Sequence, residues 1–348
     1  MDAPMTDVAA DTSVNHLSTE ALDRESAIRI VRRRSAARRP RPADTSSSLG
    51  SPLPPLLASA PAPVDGIRAI LFDIYGTLFV SASGDVGTAL SDGENNRFTE
   101  AFAEAVPHLV GMRARARDLP AELGERASEA YFSAISRAHA VSRRAGIDHP
   151  EVEIRRIWQE ACAELTSGGL LSRHPDPADI ERLALAYELR SNPVWPMPEA
   201  SRTIGELAAA GYRLGVVSNA QFFTPLLFPA LMGAEAEELG FDPGACAYSF
   251  AQGVAKPSSR LFDGPLRHLG DNYGIMPAEI LYIGNDMRND ILTAGRAGCR
   301  TCLFAGDGRS LRLRGGDRDV ADITPDAVIR SMSELHFVLS SEGGTPHA

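Results

Sequence analysis

The chain has 348 residues, 44% of them hydrophobic, which is enough for a full core and a second, smaller unit. Its formal charge of -10 excludes a general nucleic-acid binder, because phosphate backbones are gripped by clustered Lys and Arg, and leaves small molecules as the expected partners. Four cysteines make no disulfide framework and no apolar run approaches the ~20 residues that span a bilayer, so a soluble, cytoplasmic protein with no membrane partner is expected.

Residues 1–64 are rich in Ala, Pro, Ser and Arg and poor in large apolar side chains, a composition that predicts a largely disordered arm. Within it, Ser18 to Arg34 has helical spacing, with Leu22, Ile28 and Val31 partly on one face. Twin arginines precede an Ala-Ser-Ala, but Pro52, Pro54 and Pro55 break the apolar stretch that a signal peptide needs.

The run Ala69-Ile70-Leu71-Phe72 then ends in Asp73, just before Ile74, Tyr75 and Gly76. It reads as a buried strand that delivers an acid to a turn, and ligands of open α/β sheets bind beyond the carboxyl ends of such strands. Asp also favours turns for local reasons, so this strand end alone does not decide its role. After a Gly/Ser-rich loop, apolar residues recur at steps of three or four: Leu123, Ala127, Tyr131, Ile135 and Ala138; Ile154, Trp158, Ala161 and Leu165; Ile180, Leu183, Ala184 and Tyr187. An all-helical insert is predicted over residues 96–190, with Tyr131 and Trp158 in its core.

Strands and helices then alternate. Strands are predicted at Arg213–Val217, near Tyr248–Phe250, at Ile280–Ile283 and at Thr301–Phe304, with helices between them. The alternation implies a doubly wound parallel sheet, an α/β core made of residues 65–95 and 191–340, with a flexible tail over 341–348. The pair Cys299 and Cys302 straddles a helix end and a strand start and reads as core packing. His108, His139, His149 and His174 lack metal spacing and are expected on the surface.

Each predicted strand ends in a polar cluster, and in a parallel sheet these ends share one edge. Together they bring Asp73, Thr77, Ser218, Asn219, Lys256, Asp286 and Asp290 into one crevice. Lys256 is the one lysine among 35 basic residues. A carboxylate restrained by a neighbouring cation can serve as nucleophile, and a lysine with a metal ion stabilises a phosphoryl group in transfer. Asp73, Asp286 and Asp290 offer the hard oxygen ligands that Mg2+ prefers.

The succession DIYGT, VVSN, AKP and IGNDMRND closely resembles the four motifs of the haloacid dehalogenase superfamily of hydrolases, in order, from about Arg68 to Phe304. The helical insert is similar to that superfamily's cap domain. The resemblance implies Asp73 as nucleophile, the Tyr75 carbonyl as a metal ligand, and Thr77 and Ser218, with Asn219 beside them, as phosphoryl-binding groups. It further implies Lys256 as the charge-neutralising residue and Asp290 with Asp286 as ligands of Mg2+.

Two departures matter. Phosphatases of the superfamily usually carry a second Asp two residues after the nucleophile, to protonate the leaving group; Tyr75 stands there instead, as in its 2-haloacid dehalogenases. The first acid of the fourth motif falls on Asn285 or Asp286, and Asp286 is favoured because a carboxylate binds Mg2+ better than an amide. The expectation is therefore a Mg2+-dependent phosphatase of a small anionic phosphate monoester, working through an aspartyl-phosphate on Asp73. The alternatives are carbon-halogen hydrolysis through an aspartyl ester, and a non-catalytic binding or regulatory protein that keeps the fold. Asp85 is a candidate replacement acid or a plain turn residue, and the arginines of Asp307–Arg314 either grip the substrate or are solvated.

Overall fold

Ala69, Ile70, Leu71 and Phe72 are all fully buried, as four successive apolar residues must be when both faces of a strand are covered. In the computed structural model, which describes residues 22–44, 55–58, 61–83, 94–110 and 121–340, they form β1 (Ala69–Phe72). The other strands are β2 (Phe79–Ser81), β3 (Val194–Pro196), β4 (Arg213–Ser218), β5 (Phe241–Tyr248), β6 (Ile280–Gly284), β7 (Arg300–Phe304) and β8 (Ala327–Ile329). Six of them make one sheet in the order β5-β4-β1-β6-β7-β8, and every pairing in it is parallel. The strand order reverses around β1, so the crevice of the sheet opens beyond Asp73. Alternate residues of β1 feed separate cores on the two faces, Ile70 and Phe72 on one side and Ala69 and Leu71 on the other.

β2 and β3 pair antiparallel, Phe79 opposite Pro196 and Ser81 opposite Val194, and tie together the points where the chain leaves and re-enters the α/β core. In chain order the long helices up to β3 are α1 (Arg24–Ala37), α2 (Glu94–Ala105), α3 (Ala121–Arg144), α4 (Ile154–Ser167) and α5 (Pro177–Ser191). Helices α2 to α5 bury an apolar core of their own, built on Phe98, Tyr131, Trp158 and Tyr187. Ring centroids there approach to 4.4 Å for Phe98 and Tyr187 and 4.8 Å for Tyr131 and Trp158. Local chemistry fixes the start of α5: Asp176 accepts from the backbone N–H of Asp179, and Pro177 occupies the first turn, where no amide donor is needed.

One expectation needs correction: the strand predicted near Tyr248–Phe250 lies earlier, at Phe241–Tyr248, and Ser249–Gln252 is a helical turn. Within the N-terminal arm, the helical spacing read over Ser18 to Arg34 corresponds to α1. Helix α1 buries Ala27 and Val31 and lies against both α5 and the segment Phe228–Met232. Arginines hold it: Arg24 pairs with Glu235, Arg34 with Glu104, Arg32 donates to the carbonyls of Pro229 and Ala230, and Arg39 stacks over Trp195. Ala43 then joins the core through Asp307 and Gly308. Composition missed this docking because most of the partners are supplied by residues far away in the chain. Asp85 and the tail 341–348 lie outside the described residues.

Candidate active site

Lys256 reaches the carboxyl edge of the sheet from the loop after β5. Its ammonium donates to Asp73 Oδ1 at 2.7 Å, Asp290 Oδ1 at 2.6 Å and the Tyr282 hydroxyl at 2.9 Å. Burial works against its charge, but Asp290 and Asp73 more than offset this and hold the ammonium above its ordinary pKa. The Asn219 side chain clamps the Lys256 backbone at both ends, accepting from its N–H at 2.8 Å and donating to its carbonyl at 3.2 Å.

Asp290 is fully enclosed and is pushed up to about 6, mainly by burial, with the charges of Asp73 and Asp286 acting in the same direction and Lys256 against it. Its Oδ2 accepts from the Asp286 N–H at 2.9 Å. A Cβ at position 284 would sit 2.3 Å from Asp290 Cγ, so only glycine lets the carboxylate fold back beneath the strand end. Gly76, at φ +84°, leaves room in the same way for Asn285 and Ser310.

The expected ligands divide. Asp73 Oδ2 and the Tyr75 carbonyl accept no hydrogen bond among the described residues, which suits a hard cation placed between them and Asp290. Asp286 is held by other partners. Its two oxygens are taken by Arg314, at 3.2 Å and 2.6 Å, and by the N–H groups of Arg288 and Asn289, so it caps the following helical turn as half of an ion pair. Asn285 is also committed, accepting from the Thr77 hydroxyl at 3.1 Å and donating to the Ser310 carbonyl at 2.6 Å. Thr77 and Ser218 are fully buried beneath the floor, whereas Asp73, Tyr75, Asn219, Lys256, Asp286 and Asp290 line a cavity of about 800 Å3.

That cavity lies between the sheet edge and helices α2 to α5, and its walls include residues that carried no motif: Arg38 of the arm, Arg97, Glu188, Arg190 and Glu151. His139, expected on the surface, lines it too, and its Nε2 is buried without a partner among the described residues. Of the loop Asp307–Arg314, Arg312 faces the cavity and Arg314 neutralises Asp286, so neither is merely solvated. Cys299 and Cys302 are free, buried thiols in the core, and burial pushes the Cys299 thiol up to about 12. Among the described residues no helix is long and apolar enough to cross a membrane.

Among curated proteins the chain is similar to a ribulose-1,5-bisphosphate 5-phosphatase of Halopiger xanaduensis, 26% identical over 189 residues, which cover 53% of this chain and 72% of that protein. It is also similar to a glyceraldehyde 3-phosphate phosphatase of Methanothermobacter thermautotrophicus, 29% identical over 144 residues, covering 41% of this chain and 58% of the relative. Among solved structures it resembles a 2-haloacid dehalogenase from Pseudomonas syringae at 21% identity and a TM-score of 0.48, covering 78% of this chain and 97% of that one. The model of the haloacid dehalogenase-like hydrolases matches residues 67–298, from the residue before Arg68 through the fourth motif, and the chain belongs to that family of hydrolases.

Proposed function

We propose that the protein is a Mg2+-dependent phosphatase of a small phosphate monoester, with Asp73 as the nucleophile. The observation that carries this reading is the Lys256 ammonium held between Asp73 and Asp290, at 2.7 and 2.6 Å, on the floor of the cavity. Asp73 attacks the phosphorus, forming an aspartyl-phosphate as the bond to the ester oxygen breaks and the alcohol leaves; water then attacks that phosphorus, releasing inorganic phosphate and the free carboxylate. Lys256 pairs with the charge on Asp73 before attack and with the phosphoryl oxygens as the group transfers. Asn219 keeps the lysine backbone in place. Asp73, the Tyr75 carbonyl and Asp290 would hold Mg2+, which supplies positive charge to a phosphoryl oxygen. Asp286 takes no part in this set. The relatives named as phosphatases of ribulose bisphosphate and glyceraldehyde 3-phosphate support a small phosphorylated substrate.

A second reading rests on Tyr75. Its hydroxyl is bonded to Thr224 Oγ1 at 2.8 Å and burial raises its pKa, so the position that would carry a leaving-group acid carries none. Halide displacement from a 2-haloacid needs no proton and would proceed through an aspartyl ester on the same Asp73. A panel of phosphate esters and 2-haloacids, assayed with Mg2+ and with EDTA against an Asp73→Asn blank, separates the two. Phosphate release that EDTA abolishes is the expected result; halide release that survives EDTA establishes the second reading. No difference from the blank anywhere on the panel overturns both.

A further inference from the structure

A phosphatase with tyrosine two residues after its nucleophile still has to protonate an alkoxide leaving group. The Tyr75 hydroxyl is hydrogen-bonded to Thr224, and burial raises its pKa, so it is a poor donor at neutral pH. Three carboxyls besides Asp73 and Asp290 line the cavity: Asp286, Glu188 and Glu151. Asp286 is the ion-pair partner of Arg314, and Glu188 accepts from the Tyr131 hydroxyl at 3.1 Å, up on the helical insert. Glu151 is placed differently, at the neck where the insert meets the catalytic loops.

Backbone hydrogen bonds stitch residues 149–151 to the loop that carries the lysine. Glu151 N–H donates to the Gly253 carbonyl at 3.1 Å, Ala255 N–H donates to the His149 carbonyl at 2.8 Å, and Pro150 bridges Val254. On the other side Gln221, two residues beyond Asn219, donates to the Val152 carbonyl at 2.9 Å and to Glu151 Oε1 at 3.4 Å, and accepts from Ile154 N–H at 3.0 Å. The carboxyl is thus wired to both loops that frame the reacting centre. Val152 N–H at 2.9 Å and Ser249 Oγ at 2.7 Å fix its two oxygens, and burial raises its pKa above the ordinary carboxylate value.

We propose that Glu151 is the general acid and base of this active site, replacing the acid absent at position 75; the proposal rests on the phosphatase reading above. As Asp73 bonds to phosphorus and the bond from phosphorus to the ester oxygen breaks, the Glu151 carboxyl gives its proton to the departing alkoxide. The resulting carboxylate then takes a proton from the water whose oxygen attacks the aspartyl-phosphate. Inorganic phosphate leaves, and Asp73 and the protonated Glu151 are restored.

The test is Glu151→Gln in the full chain, with glycerol 3-phosphate and 2,4-dinitrophenyl phosphate as substrates in Mg2+. Glutamine keeps the shape and loses the transferable proton. Turnover of the alkyl ester should fall about 10²–10⁴-fold, while the first release of dinitrophenolate, which needs no proton, stays within about tenfold of wild type. Because the second half-reaction has lost its base, that release should appear as a burst equal to the enzyme concentration, followed by slow turnover. Equal slowing of both esters with no burst marks Glu151 as a purely structural clamp and overturns the proposal, as does wild-type turnover of glycerol 3-phosphate. Should Glu151→Gln fail to fold, Glu151→Asp, with its carboxyl set back by one methylene, must slow the first release of alcohol from the alkyl ester more than the first release of dinitrophenolate; equal slowing of these two first releases overturns the proposal. Failure of the phosphatase reading looks different: wild type and Asp73→Asn then release no phosphate from either ester.

Discussion

Replacing Lys256 by methionine keeps the bulk of the side chain and removes its charge. The ammonium side chain is 3% exposed and contacts Asp73 Oδ1 at 2.7 Å and Asp290 Oδ1 at 2.6 Å. At an effective dielectric of ~20 each contact is a gross attraction of about 6 kcal/mol, most of which offsets the desolvation of the ions. What the substitution exposes is the stranded pair of carboxylates, and removing one partner of a buried ionic cluster costs about 3–5 kcal/mol. The urea midpoint at pH 7 should fall accordingly, and Lys256→Met with Asp290→Asn should recover part of the loss, because one of the two stranded charges is then gone. The pH dependence has a definite sign. Lys256 is raised above its ordinary pKa, so in the wild type its contribution is complete below ~10.4 and is lost as pH climbs through the folded value. Asp290, at about 6 against 3.8, binds its proton more tightly in the folded state, so it opposes folding increasingly as pH rises through that window. Without the lysine Asp290 loses the neighbour that lowers its pKa and takes up its proton more readily still, so Lys256→Met should regain stability on acidification from pH 7 to about 5. A variant within about 1 kcal/mol of wild type at pH 7, or one with no acid recovery, refutes the reasoning.

Asp286→Asn keeps an oxygen to cap the following turn, so it should leave the Mg2+ concentration for half-maximal activity within about threefold of wild type and cost about 1 kcal/mol of stability through the lost charge of the Arg314 pair; Asp290→Asn should abolish the metal response. Titration of activity against Mg2+ checks both, and a large shift for Asp286→Asn returns that residue to the metal. Val31 of α1 is fully buried, and Val31→Asp removes about 1.5–3 kcal/mol of apolar burial and adds a charge to desolvate. The helix should detach, and brief trypsin treatment should cut at Arg32, Arg33 or Arg34 in the variant before it does in wild type; equal cutting rates contradict the docking.

The parallel core was legible because β1, β4, β6 and β7 are short apolar runs that end in polar clusters, and a strand buried on both faces leaves that signature in any sequence. The insert was legible for a related reason, since Leu123, Ala127, Trp158 and Leu183 repeat at helical steps and all are buried. What escaped was set by distant partners. Helix α1 buries only a narrow strip, Ala27, Val31 and Ser35, and is held by arginines whose acids and carbonyls lie far along the chain. That Asp286 pairs with Arg314, and Asn285 with Thr77 and Ser310, rests on contacts that no local pattern ties to the fourth motif. Glu151 sits after a proline in a linker with no motif, and contacts far along the chain, the bridge from Pro150 to Val254 and the Ser249 hydroxyl among them, bring it to the lysine loop.

These corrections bear directly on the metal. With Asp286 neutralised by Arg314 and Asn285 and Tyr75 uncharged, the floor reduces to two carboxylates against one ammonium, a net charge of -1 once Asp290 is ionised. A phosphate monoester brings up to two more negative charges into a buried place where like charges are weakly screened. A cation entering with such a substrate, or the arginines of the cavity wall, must offset that charge, whereas a 2-haloacid brings a single carboxylate that can lie away from the reacting carbon, toward the same arginines. The phosphatase reading therefore predicts that EDTA abolishes phosphate release. Phosphate release that persists in EDTA would mean that positive charge reaches the phosphoryl group from the chain itself, and Arg312, which lines the same cavity, is the residue to substitute first.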